Sequence, residues 1–114
     1  MAYTDIDNPS ETAFNTVLYT GNGGTQSITG VGFAPDWTWI KNRTSAGSWN
    51  YLFDSIRGAN KTLYSNLTAA ETTDNNNLQS FDSDGFTVGS NADVNGNTNS
   101  IVSWNWLASN TTAS

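Results

Sequence analysis

Two tryptophan doublets, Trp37-Thr38-Trp39 and Trp104-Asn105-Trp106, constrain the fold of this chain more than any other feature. Because successive side chains alternate between the two faces of a β-strand, each doublet places both of its indoles on one face. We therefore expect two strands whose tryptophans line one apolar layer. Packing in the core of a β-sandwich is the favoured interpretation, and an exposed platform for stacking sugars is the alternative.

The rest of the chain predicts short strands separated by turns. Asn, Ser and Thr carry most of the polarity, whereas charged residues make up only 12 % of the sequence, and these polar residues favour turns and edges over helix interiors. Eight strands are predicted, at Phe14 to Thr20, Thr25 to Thr29, Asp36 to Arg43, Trp49 to Phe53, Thr62 to Leu67, Leu78 to Phe81, Phe86 to Ser90 and Ile101 to Leu107. This pattern is typical of an all-β protein built as an antiparallel β-sandwich.

The turns and ends complete the predicted organisation. Residues 21–24 predict a hairpin loop between the first two strands, residues 82–85 predict a second hairpin loop, and residues 91–100 are expected to be a polar loop. We expect residues 1–13 to form an extended N-terminal arm, residues 14–108 to form the sandwich and residues 109–114 to form a C-terminal tail.

Composition argues against several classes of function. The net charge is −6 and there are only four Lys and Arg residues, which disfavours binding to nucleic acid. No apolar run approaches the roughly 20 residues of a membrane-spanning helix, so we expect no membrane insertion. Without His or Cys the commonest catalytic bases and thiol nucleophiles are missing, and we expect neither enzyme activity nor a cofactor. The Asp82-Ser83-Asp84-Gly85 segment lacks the further ligands of a calcium loop and is read as a turn.

A carbohydrate site is the alternative that the residues leave open. Trp49 and Tyr51 follow a turn and are the aromatic side chains for which an exposed position is best supported, although packing remains the simpler reading for both. Loop amides could supply hydrogen bonds to a sugar, and we take Asn75 and Asn97 as the representative candidates.

Five segments, in order along residues 14–108, resemble a domain of unknown function found in structural proteins of marine bacteriophages. They are Phe14 to Gly24, Ile28 to Arg43, Leu52 to Gly58, Leu78 to Gly89 and Ser103 to Ala108. The resemblance implies a concanavalin-like or jelly-roll, lectin-like sandwich. It also implies a role in a virion, since similar domains occur in proteins that look like tail fibres, adhesins and capsid-surface proteins.

Within that family, a single short domain favours a head decoration (cement) protein on the outer surface of the capsid. The chain would be made in the host cytoplasm, and its partners would be the major capsid protein and neighbouring copies of itself. We expect Tyr3, Ile6 and Pro9 of the arm to dock on the shell. The rival expectation is a carbohydrate-binding module that attaches a tail fibre or virion surface to a glycan of the host.

Overall fold

The computed structural model describes residues 13–108. Within this range the chain forms nine strands and one short helix, which we number in chain order. They are β1 (Phe14–Thr20), β2 (Gln26–Ile28), β3 (Trp37–Asn42), β4 (Asn50–Asp54), β5 (Gly58–Tyr64), β6 (Thr72–Thr73), β7 (Leu78–Asp82), β8 (Gly85–Val88), α1 (Ala92–Asn95) and β9 (Ser100–Trp106).

The strands form two sheets, as the predicted β-sandwich requires. The larger sheet has the order β1-β9-β3-β4-β5-β6 and the smaller has the order β2-β8-β7. Every pairing in both sheets is antiparallel. The first and last strands, β1 and β9, pair over seven residues in an unbroken register from Phe14↔Trp106 to Thr20↔Ser100. This pairing brings the two ends of the described chain together.

The hydrophobic core lies between the two sheets and is built from both. Its buried members are Ile40, Tyr51, Phe53 and Ile101 from the larger sheet, Ile28, Leu78, Phe86 and Val88 from the smaller sheet, and Val94 from α1. The Tyr19 hydroxyl donates a 2.7 Å hydrogen bond to the Val94 carbonyl and so ties β1 to the helix. Burial raises the pKa of Tyr19, which keeps this donor protonated.

Two of the predicted loops differ from expectation. Residues 21–24 do not close a hairpin, because β1 and β2 belong to different sheets and the segment crosses between them. The expected polar loop at 91–100 contains α1, whose N-cap Asn91 accepts a hydrogen bond from the Asp93 amide. The helix was missed because a four-residue helix has too few positions to show a 3.6-residue period.

The expectation that the tryptophan doublets fill the core was wrong. In β3 the buried residues are Thr38, Ile40 and Asn42, whereas Trp37 is exposed and Trp39 is half-buried. In β9 the two tryptophans are likewise half-buried, and the alternate positions Ile101, Ser103 and Asn105 are buried. The doublets therefore lie together on one face, as predicted, but that face is the outer face of the larger sheet.

Candidate docking surface

Five aromatic side chains form a continuous surface on the outer face of the larger sheet, and we call it the tryptophan face. It consists of Phe14, Trp37, Trp39, Trp104 and Trp106 on the three adjacent strands β1, β9 and β3. The strand register sets the arrangement, because Trp37 and Phe14 both lie opposite Trp106 and Trp39 lies opposite Trp104. Residues directly opposite in an antiparallel pair project on the same side of the sheet.

The rings of the tryptophan face are packed against one another. Trp37 and Trp106 are stacked, with ring centroids 4.4 Å apart and an interplanar angle of 27°. Phe14 packs on Trp106 at 5.0 Å, and Trp39 meets Trp104 edge to face at 5.6 Å. Each such contact is worth about 0.5–1.5 kcal/mol beyond the area buried. The rings thus hold each other in place, while Trp37 remains 36 % exposed.

Charged side chains lie at the rim of this face and are already paired. Asp54 lies opposite Trp37 in the register, and its Oδ2 forms an ion pair with Arg57 Nε at 2.5 Å. The Arg57 guanidinium also forms an ion pair with Glu71 Oε1 at 3.0 Å. Partial burial raises the pKa of Asp54, but the hydrogen bonds and charge of Arg57 outweigh it, so that this pKa lies below its usual value. On another side Lys41 donates to the Ser48 carbonyl. The centre of the face carries no charge.

The opposite, inner side of the same strands carries a buried polar network. The Thr38 hydroxyl donates to Asn105 Oδ1 at 3.0 Å. The Asn105 amide donates to the Asn15 carbonyl at 3.2 Å and to Ser103 Oγ at 3.1 Å. Ser103 Oγ in turn donates to the Val17 carbonyl at 3.3 Å. Polar residues are tolerated inside here because each finds a partner.

The predicted glycan contacts differ in their surroundings, beginning with the two aromatic residues. Tyr51 is only 3 % exposed and belongs to the core, which agrees with the favoured packing interpretation and not with the alternative of an exposed position. Its hydroxyl donates a 2.7 Å hydrogen bond to Asp93 Oδ2, and burial together with this bond raises the pKa of Tyr51. Trp49 is 43 % exposed and packs edge to face on Tyr64, with centroids 5.4 Å apart.

The two candidate amides lie elsewhere. Asn75 lines an open cleft of about 250 Å³ with Asn60 and Gln79, and it accepts a 2.6 Å hydrogen bond from the Asn60 amide. Asn97 is exposed and lies beside Gly23. No hydrogen bond joins Trp49 to Asn75 or Asn97 in the part of the chain that the structure describes.

The expected docking residues Tyr3, Ile6 and Pro9 lie outside the described residues. The position of Ala13, which follows them in the sequence, is defined. Leu107 donates its backbone N–H to the Ala13 carbonyl at 2.8 Å, and Ala13 directly precedes Phe14. Both ends of the described chain therefore meet at one corner of the tryptophan face.

The carboxylates of the 82–85 turn bind protein groups. Asp84 accepts the backbone N–H groups of Gly30 at 3.0 Å and Gly32 at 2.7 Å, and these bonds lower its pKa. Asp82 accepts the hydroxyls of Ser80 and Thr87. Across residues 13–108, no three potential ligand residues gather as a metal site would require. No helix in the same range is long and apolar enough to span a membrane.

Comparison with known proteins gives a family without an assigned role. No curated protein and no solved structure matches the chain. The model of one family, described as a domain of unknown function (DUF7483), matches residues 8–114. Because that match covers most of the chain, the chain belongs to the DUF7483 family.

Proposed function

We propose that this chain is a non-catalytic structural protein of a bacteriophage virion, and specifically a head decoration protein that docks on the outer surface of the capsid. The observation that carries the proposal is the tryptophan face. Monomeric proteins rarely leave a contiguous apolar patch of this kind on a free surface, and such patches mark interaction sites. The resemblance of residues 14–108 to phage structural proteins supplies the setting.

The composition of the face matches that of a protein interface. Tryptophan and tyrosine are enriched among the residues that dominate binding energy, and charged residues are depleted at the centre of an interface. Trp37 and Trp106 form such an uncharged centre, with the Asp54–Arg57 pair at the rim. We therefore expect the major capsid protein to present an apolar, uncharged surface to this face.

The ring geometry favours a protein over a sugar as the ligand of this face. A pyranose ring stacks on a broad, open face of an aromatic ring. Trp37 and Trp106 cover one face of each other by stacking, and Trp104 packs edge to face with Trp39. Most of the aromatic surface thus contacts other rings of the face. The surface left for a partner is apolar but offers no broad, open ring face on which a sugar could stack.

The arm extends the same surface in this proposal. Residues 1–12 precede Ala13 and Phe14 in the sequence, so in this proposal Tyr3, Ile6 and Pro9 would add contacts beside the tryptophan face. A protein that binds only the assembled shell stabilises that state by mass action. Many copies, each contributing a small binding free energy, would then stabilise the capsid without catalysing any reaction.

A matched pair of tryptophan variants tests this proposal. Trp37 and Trp49 are similarly exposed, at 36 % and 43 %, but only Trp37 lies on the tryptophan face. Co-sedimentation with expanded capsids that lack the protein should show shell binding by the wild type and by Trp49→Ala, and loss of binding by Trp37→Ala. Circular dichroism checks that each variant is folded. Loss of binding in neither variant, or in Trp49→Ala alone, contradicts the proposal.

The second candidate function is a carbohydrate-binding module for attachment to the host. The exposed Trp49 supports it, because its ring leaves surface free beside Tyr64, and the amide-lined cleft at Asn75 offers hydrogen bonds. A glycan array probed with the wild type, Trp49→Ala and Asn75→Ala tests this function. Binding that Trp49→Ala removes and Trp37→Ala retains would favour it.

A further inference from the structure

No strand covers the outer edge of β1 within residues 13–108. In the described part of the chain β1 pairs only with β9 and ends the larger sheet. Natural edge strands are usually blunted by a charge, a proline, a bulge or short length. The strand β1 has the sequence Phe-Asn-Thr-Val-Leu-Tyr-Thr over seven residues, without charge or proline, and its register is uninterrupted. Its Leu18 is 63 % exposed.

Hydrogen bonds to the backbone of β1 show which of its groups point toward β9. The Ala13 carbonyl accepts the backbone N–H of Leu107, and the carbonyls of Asn15 and Val17 accept the side chains of Asn105 and Ser103, respectively. Beyond the strand, Gly21 exchanges backbone hydrogen bonds with Asn99 and Thr98. In an antiparallel strand the N–H and C=O of one residue point to the same side, and successive residues alternate. The odd-numbered residues therefore face β9, and the even-numbered ones face outward.

The outward groups form a template for another strand. The Thr16 N–H is already satisfied, because it donates to the side chain of Asn15 at 2.9 Å. Among residues 13–108, no partner is found for the N–H groups of Leu18 and Thr20 or for the carbonyls of Thr16 and Leu18. This leaves both donors and acceptors in the middle of the strand, where an incoming strand needs them.

We propose that two copies of this chain pair through their β1 edges in an antiparallel manner, around a two-fold axis perpendicular to the larger sheet. An interface with two-fold symmetry requires a surface that complements itself. The β1 edge meets this requirement, since each copy offers both donors and acceptors and no charge opposes a second copy. The inference is independent of the proposed attachment to a capsid.

The second copy fits this edge better than an unrelated strand because it also extends the tryptophan face. The even-numbered side chains Phe14, Thr16 and Leu18 lie on the same side of the sheet as Trp104 and Trp106. Opposed residues of an antiparallel pair project on one side. The two tryptophan faces would therefore lie side by side, and Leu18 of each copy would be covered.

The assay is sedimentation equilibrium of the full chain over a concentration series, with two variants. Leu18→Lys places a charge on the edge, and Ile56→Lys places the same charge at another exposed apolar position, which is 92 % exposed in the β4–β5 turn. We expect a dimer for the wild type and for Ile56→Lys, and a dissociation constant raised about tenfold or more for Leu18→Lys, as like charges across an edge are destabilising. A wild type that stays monomeric up to about 1 mM, a weak affinity, or a Leu18→Lys variant that dimerises normally, overturns the proposal.

Hydrogen exchange of single amides identifies the surface used. We expect the Leu18 and Thr20 amides to become protected as the concentration rises, while the Thr16 amide, which is bonded within the chain, does not change. A dimer in which the Leu18 amide exchanges as in the monomer would place the contact elsewhere, for example on the tryptophan face. Protection of Leu18 that does not depend on concentration would assign the edge to a segment of the same chain. Either result refutes pairing through β1.

Discussion

Replacing Thr38 with valine tests which face of β3 is inside. Valine has nearly the shape of threonine but lacks the hydroxyl, so the substitution removes one donor without opening a large cavity. Thr38 is fully buried, and its hydroxyl is the donor to Oδ1 of Asn105, which is also fully buried. Thr38→Val therefore leaves a buried amide oxygen without a partner.

The expected loss follows from that unpaired oxygen. An unsatisfied buried acceptor costs about 1–3 kcal/mol, and in a domain of this size each kcal/mol lowers the melting temperature by about 4 °C. We expect Thr38→Val to lower the free energy of unfolding by this amount in urea titrations followed by circular dichroism. Thr16→Val is the matched control, since Thr16 is exposed on the outer face, where the change should stay within about 0.5 kcal/mol.

The outcome separates two opposite assignments of the faces. If the tryptophans filled the core, Thr38 would face solvent, and valine would be neutral or slightly stabilising because it favours strands. A Thr38→Val protein as stable as the wild type would therefore refute the buried polar network. It would also remove the basis for treating the tryptophan face as a docking surface.

Three further substitutions test other parts of the structure. Gly85→Ala should unfold or strongly destabilise the domain, because a Cβ there would lie 1.9 Å from the Ile28 carbonyl oxygen, whereas Gly47→Ala meets nothing within 4 Å and should be neutral in the same melts. Asp84→Asn should destabilise at neutral pH. The lowered pKa of Asp84 means that its contribution is present above its unfolded pKa of about 3.9 and is lost as the pH falls through the folded pKa. The two proteins should therefore converge in stability as the pH is lowered below about 4, and a constant difference would contradict this. Tyr51→Phe removes the hydrogen bond to a carboxylate and should cost about 1–3 kcal/mol in urea titrations; an unchanged midpoint would contradict it.

Strand positions were largely predictable from the sequence because alternation and turn residues act locally. The predicted strand from Phe14 to Thr20 agrees with β1 at both ends, and the hairpin at 82–85 joins β7 to β8 as expected. The false hairpin at 21–24 shows the limit of local signals. The residues are typical of a tight turn, but the choice between pairing with the next strand and crossing to another sheet depends on contacts with distant residues such as Asn95, whose side chain binds this loop.

The orientation of the larger sheet could not be predicted from the hydrophobicity of its strands. In β3, one face carries Trp37 and Trp39 and the other carries Thr38, Ile40 and Asn42. If the face with the larger apolar side-chain area is assigned to the core, the tryptophan side is chosen, and that choice is wrong. The layer that covers the inner face near β1 includes the loop after β2, which presents backbone carbonyls. Asn15 donates to those of Gly30 and Val31 at 3.2 and 3.1 Å. Polar side chains belong inside where the opposing layer consists of backbone rather than of apolar side chains.

The β1 strand links the two proposed surfaces, since its outward residues border the tryptophan face and its backbone forms the open edge. If copies pair through β1, the joined tryptophan faces bind a shell together, and the second contact gains from the effective concentration of the first. The wild type should then bind capsids with a steeper isotherm than Leu18→Lys, which should bind each site independently and about tenfold or more weakly overall. Trp37→Ala should lose binding while it still dimerises. Identical, non-cooperative isotherms for the wild type and Leu18→Lys would show that the edge plays no part in docking, even if the tryptophan face does.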